Sequence, residues 1–141
     1  MNTVLQLMKD RNDLLGKFHC MNEIEIEKIK NRDFQTIEPF YSGRQTLLEM
    51  IDRVEKKLVN EIQFTLSGHD LDFTTRQLVG DFLEERDHLV TEILDQDLQI
   101  LGFIEEEKSR IIRDLKEVVE KKAKVGKFQS GMKKYKFDEE A

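Results

Sequence analysis

Residues 90–125 read VTEILDQDLQILGFIEEEKSRIIRDLKEVVEKKAKV. Val90, Leu94, Asp97, Leu101, Ile104, Lys108, Ile111, Leu115, Val118, Lys122 and Val125 recur at alternating three- and four-residue steps. That is the heptad spacing of a helix with one apolar seam, held for five repeats. Counted from about Phe73, such a helix would be about 80 Å long at 1.5 Å per residue. Gly126 and Gly131 mark where it is expected to fray, leaving 127–141 as a flexible tail with spaced aromatic residues.

Two shorter helices precede it. The first is expected over 2–30, with Val4, Leu7, Met8, Leu14, Leu15, Phe18, Met21 and Ile24 on one side. Asn31-Arg32-Asp33 interrupts the pattern, and Asp33 suits the N-cap of a second helix over 34–66. Its seam reads Phe34, Ile37, Tyr41, Arg44, Leu48, Ile51, Glu55, Leu58 and Ile62. Pro39, the only proline, should delay or kink the start of that helix rather than abolish it. Ser67-Gly68-His69-Asp70 is a turn cluster, and Asp72 or Thr74 is placed to cap the third helix over 73–125.

The pattern therefore predicts an all-α fold: an elongated antiparallel three-helix bundle or coiled coil, with 1–126 as one domain. The first two helices are each about 45 Å long, so the third is expected to overhang the bundle beyond about Glu105–Lys108. Ile111, Ile112, Leu115, Val118 and Val119 would then form an aliphatic stripe with no helix of the same chain to cover it. Burying five such side chains is worth on the order of 10 kcal/mol gross, which makes the stripe a surface for a partner or a second copy.

Composition agrees with thin cores and long helices: 38% of the 141 residues are apolar and 37% charged, against about 25% charged in an average chain. The net charge of −6 is divided unevenly. Residues 1–107 carry 12 basic and 23 acidic side chains, whereas 108–137 carry 11 basic and three acidic. An acidic body joined to a basic arm is a polarity that a partner can read. The single Cys20 points to no disulfide, the N-terminus lacks the pattern of a signal peptide, and no apolar run approaches a membrane span, so the cytoplasm is the expected location.

No constellation indicates catalysis, a cofactor or a metal. Glu85 and His88 have the Glu-x-x-His spacing of di-iron bundles, but neither His19 nor His69 has a glutamate three residues before it. His69, Asp70 and Asp72 are explained as turn and cap residues. His19-Cys20 shows no base or metal partner, and there is no glycine-rich phosphate loop. Lysines between 121 and 136 lie among Phe128 and Tyr135, but the acidic chain argues against nucleic acid. Two charges on the seams carry more weight: Arg44 and Asp97 stand nearly level and are expected to form an ion pair that sets register.

Arg32-Asp33-Phe34 followed by Gly43-Arg44-Gln-Thr-Leu47-Leu48 resembles the short turn and following helix of the flagellar type III export chaperones of the FlgN/FliT kind. The stretch from Arg86 through Ile93, Leu94 and Asp97 to Ile100 is similar to that family's second-repeat helix, and Gly131-Met-Lys-Lys-Tyr135 to the end of its last helix. Pro39 and the acidic Asp138-Glu139-Glu140 depart from the pattern. The resemblance implies a cytoplasmic chaperone whose segment from Ile104 to Val119 (Ile104, Ile111, Ile112, Leu115, Val118, Val119) embraces a C-terminal helix of a flagellar subunit. It also implies that Tyr135, with Phe137 beside it, helps dock the loaded chaperone on the export gate. The alternative is a homodimeric coiled-coil adaptor pairing through the third helix.

Overall fold

The computed structural model describes the backbone of residues 1–66 and 71–140, and the side chains of 1–65 and 71–129. Its described residues form three helices and no strand: α1 (Asn2–Lys30), α2 (Ile37–Leu66) and α3 (Phe73–Glu140). The fold is an all-α three-helix bundle. By its internal contacts the chain divides into two compact units, Met1–Leu101 and Gly102–Ala141.

In the first unit the helices run up, down and up. Val4 and Met8 of α1 pack with Leu58 and Ile62 of α2 and with Val79, Phe82 and Leu83 of α3. Further along α1, Leu15 and Phe18 meet Leu47 and Ile51 of α2 and Leu89 and Ile93 of α3. As α1 advances, its partners descend along α2 and ascend along α3, so α2 is antiparallel to both neighbours.

The core face of α1 is a heptad seam that the apolar pattern only half displays. Val4, Met8, Arg11, Leu15, Phe18, Asn22, Glu25 and Ile29 are all buried and follow four-three steps without a break. Three members are polar, so a reading restricted to apolar residues drifted off the seam and took in Ile24, which is exposed. Ile51, Leu58 and Ile62 of α2 lie in the core as the apolar spacing suggested, but in the first half of α2 and along α3 the core falls one residue earlier. Phe40 and Leu47 face inward rather than Tyr41 and Leu48; Leu89, Ile93, Gln96 and Ile100 do so rather than Val90, Leu94, Asp97 and Leu101.

The α1–α2 turn is a Schellman closure. Asp33 N donates to Lys28 O and Arg32 N to Ile29 O, both at 2.9 Å, and Arg32 sits at φ 58° in the left-handed region. Asp33 then accepts from Gln35 N at 3.2 Å instead of capping a helix, and α2 starts at Ile37, three residues later than expected. Pro39 lies in its first turn, where the N–H it lacks would have had no helical partner.

Asp72 caps α3, accepting from Thr75 N at 2.7 Å. The hydrogen bonds from Thr75 hold its carboxyl below the ordinary carboxylate pKa. At the other end α3 does not stop near Val125; it continues through Gly126 and Gly131 to Glu140, across the segment expected to be a flexible tail. A glycine in a helix interior costs only about 1 kcal/mol relative to alanine, and the Lys, Gln, Met and Glu residues around these two favour helix. The cluster 67–70, with His69 and Asp70, lies outside the described residues.

Candidate protein-interaction site

Arg44 of α2 and Asp97 of α3 meet across the bundle, with Arg44 Nη2 2.7 Å from Asp97 Oδ2. Asn22 of α1, wholly buried, donates from Nδ2 to Gln96 Oε1 at 3.2 Å and to Asp97 Oδ1 at 3.4 Å. The Arg44 guanidinium also lies 5.4 Å from the centre of the Phe18 ring, within cation–π range. All three helices thus contribute to one polar layer, and a neighbouring bond from Gln96 Nε2 to His19 O closes it against α1.

The surroundings of that layer are apolar and open. Tyr41 and Leu48 stand one helical turn to either side of Arg44; Leu94 and Leu101 stand likewise about Asp97. These four side chains are between 39% and 59% exposed. The Arg44–Asp97 pair they frame is itself about 28% exposed. Leu98, beside them on α3, is more exposed still. The apolar spacing found these residues but took them for core, because a one-residue shift rotates a helix face by only about 100°.

A second surface lies in the unit Gly102–Ala141. Ile111, Ile112, Leu115, Val118 and Val119 are between 44% and 64% exposed. Every described residue from 111 to 129 is exposed, Val125 and Phe128 included. Ile104 differs from the rest of the expected stripe in being half-buried, as is Phe103 beside it. The side chains of Tyr135 and Phe137 lie outside the described residues.

Glu85 and His19 are engaged in contacts between helices. Glu85 Oε2 accepts from Asn12 Nδ2 at 3.3 Å, and Asn12 also donates to Phe82 O at 2.9 Å. His88 turns from Glu85 toward Glu92, its Nε2 3.2 Å from Glu92 Oε1. His19 Nε2 lies 2.8 Å from the other oxygen of the same carboxylate, a cross-helix partner that residue spacing alone does not locate. Cys20 is a free, exposed thiol. Among the described residues no three His, Cys, Asp or Glu side chains gather as a metal site, and no helix is long and apolar enough to cross a membrane.

Compared with known proteins, the chain matches no family model, no curated sequence and no solved structure. What it does must be argued from its surfaces.

Proposed function

We propose that this protein is a cytoplasmic chaperone of the flagellar type III export kind. It holds the C-terminal helical segment of an axial subunit, a filament-cap or hook-junction protein, keeps it from assembling early and delivers it to the export gate. The observation that carries this reading is the exposed aliphatic stripe Ile111, Ile112, Leu115, Val118 and Val119 on a helix. An amphipathic client helix docks in such a groove through anchors at i, i+3, i+4 and i+7. Five aliphatic side chains supply on the order of 10 kcal/mol gross for that contact, before ordering costs.

The sequence resemblance of Arg32–Leu48, Arg86–Ile100 and Gly131–Tyr135 to export chaperones supplies the client class. Tyr135 and Phe137 are assigned the weaker contact with the gate on the same basis. The competing reading, a coiled-coil adaptor without a secretion role, draws on the heptad spacing of Ile111, Leu115, Val118 and Val125, which suits a second identical helix equally well.

Calorimetric titration with C-terminal segments of filament-cap and hook-junction subunits tests the proposal. Tight one-to-one binding to one segment, abolished by Ile111→Ser, Leu115→Ser and Val118→Ser together, is the expected result. Absence of binding to every segment, with a dimer that persists at all concentrations, favours the adaptor.

A further inference from the structure

The apolar ring around Arg44 and Asp97 has the dimensions of a helix site. Tyr41 and Leu48 are seven residues apart, as are Leu94 and Leu101, so each pair spans two helical turns, about 10 Å. The side chains between them form a polar pair that is neither sealed in the core nor fully hydrated. A rim of apolar groups around a half-desolvated charge pair is where a docking helix gains most by excluding water.

The electrostatics choose the occupant. Residues 37–52 and 84–101, which carry the ring, hold nine acidic side chains and only two basic ones, Arg44 and Arg86. Both of those are already paired, with Asp97 and Asp87. The fitting partner is therefore a basic helix with aliphatic anchors two turns apart. The chain contains one: residues 108–129 carry eight basic and three acidic side chains, and Ile111, Leu115 and Val118 span two turns on an exposed face. Pairing that segment with its own counterpart would set two net positive helices side by side, which is repulsive. Setting it on the acidic ring is attractive.

We propose that the face formed by Tyr41, Leu48, Leu94 and Leu101 around the Arg44–Asp97 pair receives the basic segment 108–129 of a second copy of this chain. Each copy offers one face and one segment, so a two-fold axis allows both contacts to form at once. The inference does not rest on the chaperone reading. If that reading holds, a client must displace the second copy from Ile111, Leu115 and Val118 before it can bind.

Sedimentation equilibrium of the full chain tests the charge argument directly. The expected result is a dimer at about 50 mM salt whose dissociation constant rises at least about tenfold at 500 mM, as opposite charges are screened. A monomer at both salt levels, or a dimer that tightens with salt, overturns the proposal. Complementation tests the pairing. Leu94→Ser/Leu101→Ser on the face and Ile111→Ser/Leu115→Ser on the segment should each leave the chain monomeric, while mixing the two variants restores one intact contact and a heterodimer. A face variant that still dimerises like the parent, or a mixture that stays monomeric, overturns it.

Because all four substituted residues are exposed, helicity by circular dichroism should be unchanged in both variants. The unsubstituted chain gives an independent check. Zero-length carbodiimide coupling of a mixture of ¹⁴N- and ¹⁵N-labelled copies should join Lys116 or Lys121 of one copy to Asp87 or Asp95 of the other. Links confined to single copies mean that the segment folds back on its own chain, and the proposal falls.

Discussion

Arg44 and Asp97 are bonded at 2.7 Å from helices whose sequence positions lie 53 residues apart. The pair joins α2 to α3 while Asn22 ties the same carboxylate to α1. Such a pair fixes alignment more than it adds stability, because attraction is largely offset by lost hydration. Arg44→Met or Asp97→Leu alone should cost about 2 kcal/mol, by stranding the other charge, a value reduced from the fully buried case for residual exposure. The double substitution should cost less than either single change. Urea unfolding at concentrations that keep the chain monomeric measures all three, and strict additivity would contradict the account.

Arg11 is only 2% exposed, and its Nη1 donates to the partly exposed Glu55 Oε1 at 3.1 Å. Its Nε and Nη2 are buried without a hydrogen-bond partner among the described residues. Arg11→Met keeps the stem and removes the stranded donors, and the freed Glu55 stays hydrated. We expect unfolding free energy to be unchanged or raised by about 1 kcal/mol. A loss of more than about 1 kcal/mol would show that the guanidinium is better satisfied than its contacts indicate.

Arg32 occupies a left-handed conformation that an L-residue adopts at a cost of about 1 kcal/mol. Glycine is the usual residue at that position of a Schellman closure. Arg32→Gly should stabilise the bundle by up to about 1 kcal/mol, less the extra freedom it gives the unfolded chain. Thermal unfolding reads the change, and a lower midpoint would mean that the Arg32 side chain has a role beyond the turn.

Asp72 gives a pH dependence with a definite sign. Its folded-state pKa is lowered by the bonds from Thr75, so its stabilising effect is complete above the unfolded carboxylate value and is lost as pH falls through the folded one. Hydrogen exchange at the start of α3, Phe73 to Arg76, should show greater opening below about pH 4 than at pH 6, after correction for intrinsic exchange. In Asp72→Ala that opening should already be present at pH 6 and should not change further with acid.

Helix number and order were legible because apolar residues recur every three or four positions over long stretches. The core face was legible only in part: Val4, Met8, Ile51 and Leu58 lie in it as expected, and the cause of the rest is visible in particular pairs. Phe40-Tyr41, Leu47-Leu48, Ile93-Leu94 and Ile100-Leu101 are apolar doublets, and in each the first member turns inward while the second remains exposed. Two seams one residue apart score alike in sequence; only the third helix decides between them. Arg11, Asn22 and Glu25 hid the α1 core for the opposite reason, since polar residues there complete the heptad. The signal that would have found them is the unbroken four-three count from Val4 to Ile29. Arg44 and Asp97 stood out because each interrupts apolar neighbours on its seam and helix lengths place the two nearly level.

Asn22 and Gln96 also act as a gauge. If α1 slid along α3 by one heptad, Asn22 would face Leu89, and Gln96 would face Ile29. Two buried amides would then lie against hydrocarbon, at about 1–3 kcal/mol each. An apolar seam alone would tolerate that slip, because leucine and isoleucine at neighbouring heptads are nearly interchangeable. With Arg44–Asp97 holding α2 in step with α3, the amide pair completes a register in which every molecule of this protein presents Tyr41, Leu48, Leu94 and Leu101 at the same mutual spacing. A binding face assembled from two separate helices thus inherits the accuracy of the polar layer beneath it.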